Sequence, residues 1–253
     1  MGNGHEIAVG SMTGDALRGE SSERWHAEMV GMRDALRLFS YVPGNEIIGV
    51  RAPHLETGGD RQFSMMTSSG FAYDSTMAVS GGPYWPQTLD FTLAWGCSEE
   101  GCPRMSHHGL WEIPISRLTR GDHRNQYTTL KDALRTGDLP DDIADMLEKN
   151  FQQHYKYNRA PFVVAIDTEY LNSLQDSGAV SALEMFISKV LQNPDTYIVS
   201  ASQALRWLQL PTRILRHVHS HVIEAKHMLF AYVVHALELI LNSEIQQEVA
   251  TLL

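Results

Sequence analysis

The stretch Pro161-Phe-Val-Val-Ala-Ile-Asp-Thr-Glu-Tyr-Leu171 decides the fold class. Its first six residues form an almost uninterrupted apolar run. A strand of that kind is covered on both faces, as in a parallel sheet flanked by helices. Working outward, helix and strand patterns alternate on both sides of it. An amphipathic helix is predicted over 141–155, a second over 179–191 and a third over 202–208, with a strand at 197–199. Upstream, Trp111-Glu-Ile-Pro-Ile115 reads as a strand. Ile47-Ile48-Gly49-Val50 reads as a buried strand after the break at Pro43-Gly44, and residues 6–9 as the first strand. A helix over 22–39 places Trp25, Met29, Met32, Leu36 and Phe39 at helical spacing, with Ser21 and Ser22 available as N-caps. A shorter helix over 60–68 follows Gly58-Gly59. This alternation predicts an α/β domain with a parallel sheet or barrel. No internal repeat is visible.

The bulk properties set limits. A chain of 253 residues with 43% hydrophobic content fits one large α/β domain or two small ones. A net charge of −10 argues against a nucleic-acid backbone as partner and suits a neutral or cationic ligand. Met1-Gly-Asn-Gly-His has neither the basic nor the apolar region of a signal peptide. No run reaches the roughly 18 apolar residues of a membrane span; the closest, 228–241, is broken by His235 and Glu238. Cys97 and Cys102 lie in Gly-Cys-Ser-Glu-Glu-Gly-Cys-Pro, a spacing that suits a small disulfide loop or two free thiols. The segment 77–113 is long and aromatic, carrying Tyr84, Trp85, Phe91, Trp95 and Trp111, and a loop of that length is usually functional. Beyond Pro211 the character changes. His217, His219 and His221 alternate, as on a metal-binding strand or at an exposed helix start. Residues 222–253 read as one long helix. The expected organisation is therefore a domain over 1–211 and a helical tail over 212–253, the tail serving packing or self-association, with membrane contact the lesser alternative.

Four places carry candidate chemistry. They are Gly10-Ser-Met-Thr-Gly14 after the first strand, Val50-Arg-Ala-Pro-His-Leu55, Tyr73-Asp-Ser-Thr-Met77, and Ala165-Ile-Asp-Thr-Glu-Tyr-Leu171. Each follows or ends a strand, and ligand sites in parallel α/β folds collect at the carboxyl ends of strands. The flanking segments are distinctive: Trp25-x-x-Glu28-Met-x-Gly-Met-Arg33, Gly49-Val-Arg-Ala-Pro-x-Leu55-x-x-Gly-Gly59, Trp85-Pro-x-Thr-Leu-Asp90, Gly109-x-Trp-Glu-Ile-Pro114, Asn150-Phe-x-x-His-Tyr155-x-x-Asn-Arg-Ala-Pro-Phe162 and Ser200-Ala-Ser-Gln-Ala-Leu-x-Trp207. In this order, from Gly4 to Pro211, they resemble the polysaccharide deacetylases, in particular the animal chitin deacetylase-like branch.

The resemblance implies a distorted (β/α) barrel of the polysaccharide deacetylase (NodB-like) type, a secreted protein, a Cys97–Cys102 disulfide, and a metal, usually zinc, that polarises an acetamide carbonyl and a bound water. It also implies chitin or a related polysaccharide as partner, with Pro53, Met77, Tyr84, Trp85 and Trp111 on the substrate side. This sequence departs from the family at each catalytic position. The strand bearing the two family aspartates would precede Met1, which suggests a barrel lacking its first strand through N-terminal truncation. The two metal histidines fall on Gly10 and Gly14, and the acid histidine on Asp167. Arg51 and Asp74, which support the base and a histidine in the family, remain. Losing a partner of a metal ligand costs about 10- to 100-fold in affinity or activity, and losing a general acid about 10²- to 10⁴-fold. Here the ligands themselves are glycines. No cofactor is expected for this chain, and the expected function is a chitin-binding or matrix-organising protein without deacetylase activity. The alternative is an active hydrolase with rearranged ligands drawn from His5, His54 or Asp167. Simpler readings stand beside these: Arg51 pairing with a barrel carboxylate, the aromatics as loop core, and His107-His108 as an exposed turn.

Overall fold

A computed structural model of the protein describes residues 5–97, 101–121, 125–171, 178–211 and 229–235, the last as backbone. The fold is mixed α/β. Helices α1 (Ser22–Phe39) and α2 (Asp60–Ser68) precede and follow the first short strand, β1 (Gly49–Val50). Ser21 caps α1, its hydroxyl accepting the Arg24 N–H. Trp25 and Met29 are buried and Met32 and Leu36 pack partly against the same core, but Phe39 is exposed, because the last turn of α1 runs past the edge of that core.

Strands β2 (Tyr73–Asp74), β3 (Ala78–Val79), β4 (Gln87–Thr88), β5 (Trp111–Glu112), β6 (Ile115–Ser116), β7 (Leu118–Thr119) and β8 (Gln126–Tyr127) are all two residues long. One sheet runs β1-β2-β5-β4, with β1, β2 and β5 parallel and β4 antiparallel at its edge. Val9 extends it by a single parallel bridge to Val50, its N–H meeting the Gly49 carbonyl and its carbonyl taking the Arg51 N–H. The predicted first strand is thus one bridge long. Pairs β3-β6 and β7-β8 stand apart.

The second half is built around β9 (Phe162–Ile166), with α3 (Pro140–Lys156) before it and α4 (Thr168–Leu171), α5 (Gly178–Val190), β10 (Thr196–Ile198) and α6 (Ala201–Gln209) after it. Every residue of β9 is buried. Phe162, Val164 and Ile166 join Leu147, Phe151 and Phe186 of the flanking helices, while Val163 and Ala165 face an inner cluster with Tyr73, Ile113, Ile115 and α6. The apolar run is explained by this two-sided burial, which follows from the period of two along a strand.

Within the described residues the strands form separate sheets and no closed barrel. One expectation needs correction. The long helix predicted over 222–253 does not hold at 229–235, where Leu229–His235 forms strand β11, parallel to and between β9 and β10. Phe230, Tyr232, Val233 and Val234 are aromatic or β-branched, types that fit a pleated surface better than a helix. The remainder of that predicted helix, and His217, His219 and His221, lie outside the described residues.

Candidate functional site

The first candidate place is a loop held from below. Glu28, on the buried face of α1, accepts the Met12 and Thr13 N–H groups on Oε2 at 2.8 and 2.9 Å and the Thr13 hydroxyl on Oε1 at 3.1 Å. Arg24 pairs with the same carboxylate at 2.8 Å and with Asp15 at 3.2 Å. The Gly14 N–H donates to Ser11 Oγ, and the His54 ring bonds the Gly14 carbonyl. Gly14 adopts φ +78°, a conformation that only glycine takes without strain, whereas the space at Gly10 is open, its nearest neighbour being the Arg51 carbonyl oxygen at 4.0 Å. The turn after β1 is itself strained: His54 and Leu55 both have φ 56°.

A buried polar network lies at the ends of strands β1, β2 and β5. Asp74 and Glu112 are register partners on adjacent parallel strands and both are fully buried. Asp74 Oδ1 accepts from Gln62 Nε2 and from the Thr76 hydroxyl, each at 2.8 Å, and Oδ2 accepts the Thr76 N–H at 2.9 Å. Thr76 Oγ1 in turn accepts the Ala52 N–H, and Gln62 Oε1 the Gly58 N–H. Arg51 donates to the Ser75 carbonyl and hydroxyl at 2.7 and 2.9 Å, and the Ser75 hydroxyl donates to the Ile113 carbonyl. Glu112 Oε1 accepts the Met77 N–H at 3.1 Å. Burial pushes the Asp74 carboxyl up to about 6. Burial and then the neighbouring Asp74 charge push Glu112 well above the carboxylate range.

The other candidate residues are placed by ordinary structural bonds. Asp167 follows β9, and its Oδ1 accepts the Tyr170 N–H at 2.8 Å, the contact by which a side chain caps the short helix α4. Trp85 donates its indole N–H to the Asn158 carbonyl and lies 6.3 Å from the Trp207 ring; Tyr84 lies 5.6 Å from Trp95. Tyr84, Trp85 and Trp111 are half-buried, Pro53 begins a single helical turn, and Met77 is buried in the N-terminal core. Cys97 and Cys102 form a disulfide. His107 is not an exposed residue. It is buried, and its Nε2 meets Asp60 Oδ1 at 2.9 Å, a carboxylate that also accepts the Arg104 and Met105 N–H groups. His108 is exposed and bonds Asp90.

Sequence reasoning passed over Glu28, Gln62 and Glu112 as functional groups, although each left a signal: a polar side chain on a stripe or strand that is otherwise apolar. It also passed over Glu6. Its carboxylate accepts the Tyr73 hydroxyl and the Ser202 N–H at the start of α6, joining the first segment to the last described helix of the main body. Tyr73 reaches it by filling the space beside Gly49, where an added Cβ would sit 2.0 Å from the ring.

Among the described residues no three His, Cys, Asp or Glu side chains converge as a metal-holding set, so His5, His54 and Asp167 are not gathered into one. The ligand positions expected from the family carry no side chains, and one of them has a backbone that disfavours any. Among the described residues, those at the expected positions do not supply a metal-holding set.

No protein-family model matches the chain. It is similar to chitin deacetylase 1 of Bombyx mori, with 33% identity over 225 residues covering 83% of this chain and 41% of that protein. It is also similar to chitin deacetylase 8 of Bombyx mori, with 26% identity over 224 residues covering 85% of this chain and 58% of that protein. The chain spans about half the length of the curated relatives it matches.

Proposed function

The chain belongs to the animal chitin deacetylase-like group of polysaccharide deacetylases, and from that premise we propose that it is a non-catalytic member that binds chitin or a related polysaccharide. The observation that carries this reading is the pairing of Gly10 and Gly14 with an intact buried network. Arg51, Asp74 and Met77 are held by hydrogen bonds, while Gly10 and Gly14 bring no side-chain ligand atoms. A site without ligands can still shape a groove. Trp85 and Trp111, half-buried, and Tyr84 beside them supply faces for sugar rings, since aromatic side chains pair a large apolar surface with a polar edge. The finer fold we assign is the family's distorted barrel. Secretion fits the Cys97–Cys102 disulfide, which persists in oxidising compartments. Among the described residues no helix is long and apolar enough to cross a membrane.

Two measurements test the proposal. The protein is expected to be retained on colloidal chitin, with retention reduced by Trp85→Ala while the melting curve stays cooperative. Incubated with chitin oligomers and added zinc, it is expected to release no acetate above a heat-inactivated control. Release of acetate overturns the loss of catalysis; failure of the wild type to bind chitin overturns the binding role.

A further inference from the structure

The Asp74–Glu112 pair has a feature the family reading does not use. Asp74 spends three acceptor positions on Gln62, the Thr76 hydroxyl and the Thr76 N–H. Glu112 spends one, on the Met77 N–H, and its Oε2 is buried with no N–H or hydroxyl to accept from. A buried oxygen left so is costly unless it becomes a donor. Glu112 is the register neighbour of Asp74 on the adjacent parallel strand, both fully buried, and two carboxyls can bond each other only through a proton. Asp74 has one lone pair left after its three donors, so a single proton on Glu112 satisfies every polar atom of the pair.

We propose that Glu112 holds a proton at neutral pH and shares it in a hydrogen bond to the Asp74 carboxylate, making this buried pair a proton-dependent latch. The pair then carries one negative charge, faced by the Arg51 guanidinium from the turn after β1. The remaining neighbours in register or contact are uncharged: Val50 on β1, Gln62 on α2, Thr76 and Met77 beyond β2, and Gln87 on β4. Losing the proton sets two carboxylates side by side with no exposure to water. The strain falls on the Ser75–Met77 turn, because Arg51 is anchored on Ser75 and Met77 on Glu112. The direction is fixed by linkage. A carboxyl whose affinity for its proton is raised by folding stabilises the fold fully below its unfolded value, about 4.3 for Glu, and that stability is lost as pH rises toward the raised folded value. Over the window where only the native state holds the proton, the folded-to-unfolded ratio falls about tenfold per pH unit. This inference is independent of whether the groove binds polysaccharide.

The experiment has two arms. Urea unfolding between pH 6 and 9 is expected to show the wild type losing stability with rising pH, while Glu112→Gln, whose amide donates the same bond without titrating, loses about tenfold less per pH unit. Parallel profiles for the two proteins overturn the proposal. Infrared spectra of the wild type labelled with ¹³C-glutamate are expected to contain a protonated carboxylic acid band at neutral pH that moves with the label. A spectrum with only ionised glutamate overturns it, whether or not the variant folds.

Discussion

The loop at Ser11–Gly14 and the buried pair at Asp74–Glu112 are built in opposite ways. The loop hangs on one carboxylate, that of Glu28, whose donors are half-exposed backbone groups and whose counter-charge, Arg24, reaches solvent. The pair belongs to a buried network in which hydrogen bonds join Gly58, Gln62, Asp74, Thr76 and Ala52, with the Glu112–Met77 bond in register beside Asp74 and one Glu112 oxygen left without a donor. A loop of this kind can change its residues at small cost, since freed groups rehydrate. The buried network cannot, because each buried partner strands the next. That difference predicts which of the two tolerates substitution.

The comparison breaks first, if it breaks, at Asp74. Asp74→Ala removes the acceptor for Gln62 and for both Thr76 donors in a site without solvent. It is expected to cost about 3–5 kcal/mol of stability, the range for breaking a buried charged network. Urea denaturation measures it, and a loss below about 1 kcal/mol would mean that the buried network is no better knit than the loop. Glu28→Ala is expected to cost less, about 1–3 kcal/mol, because Met12, Thr13 and Arg24 regain water. Its distinctive sign is local: hydrogen exchange at the Met12 and Thr13 amides rises while the Thr76 amide stays protected.

The same contrast governs what the sequence disclosed. The two-sided strand at Phe162–Ile166 was legible because burial on both faces forces an apolar run that no neighbour alters. Helix α2 was legible to its ends because Gly58-Gly59 punctuates its start. Of the two-residue strands, β1, β5 and the start of β6 fell within predicted strands, but β2, β3, β4, β7 and β8 were not seen, since their pairing depends on partners far along the chain. Leu229–His235 was misread because an apolar stretch between helix-forming segments hid its aromatic and β-branched content, and periodicity alone does not separate a buried strand from a buried helix. At the site, the glycines were visible as departures from a family pattern. Glu112 was hidden inside Trp-Glu-Ile-Pro, where the neighbouring apolar residues announce a strand and the carboxylate is the anomaly. Its meaning came only with Asp74 placed beside it, a contact across 38 residues of sequence.

The smallest effects lie at the two glycines, and they differ from each other. Gly14 sits at φ +78° with open space around a built Cβ, so its cost on substitution is conformational. Gly14→Ala is expected to lose about 1–2 kcal/mol, the strain of an L residue in the left-handed region. Gly10 has an ordinary backbone and no atom nearer than 4.0 Å, so Gly10→Ala is expected within about 0.5 kcal/mol of the wild type. The pair therefore predicts the outcome of putting both family histidines back. Histidine fits at Gly10 but distorts the turn at Gly14, where the Ser11 hydroxyl and the His54 ring already hold the backbone. The double substitution Gly10→His, Gly14→His is expected to melt at the same temperature with and without zinc. A zinc-dependent rise in melting temperature would show instead that the loop retains the geometry of a metal site, and that only the side chains were lost.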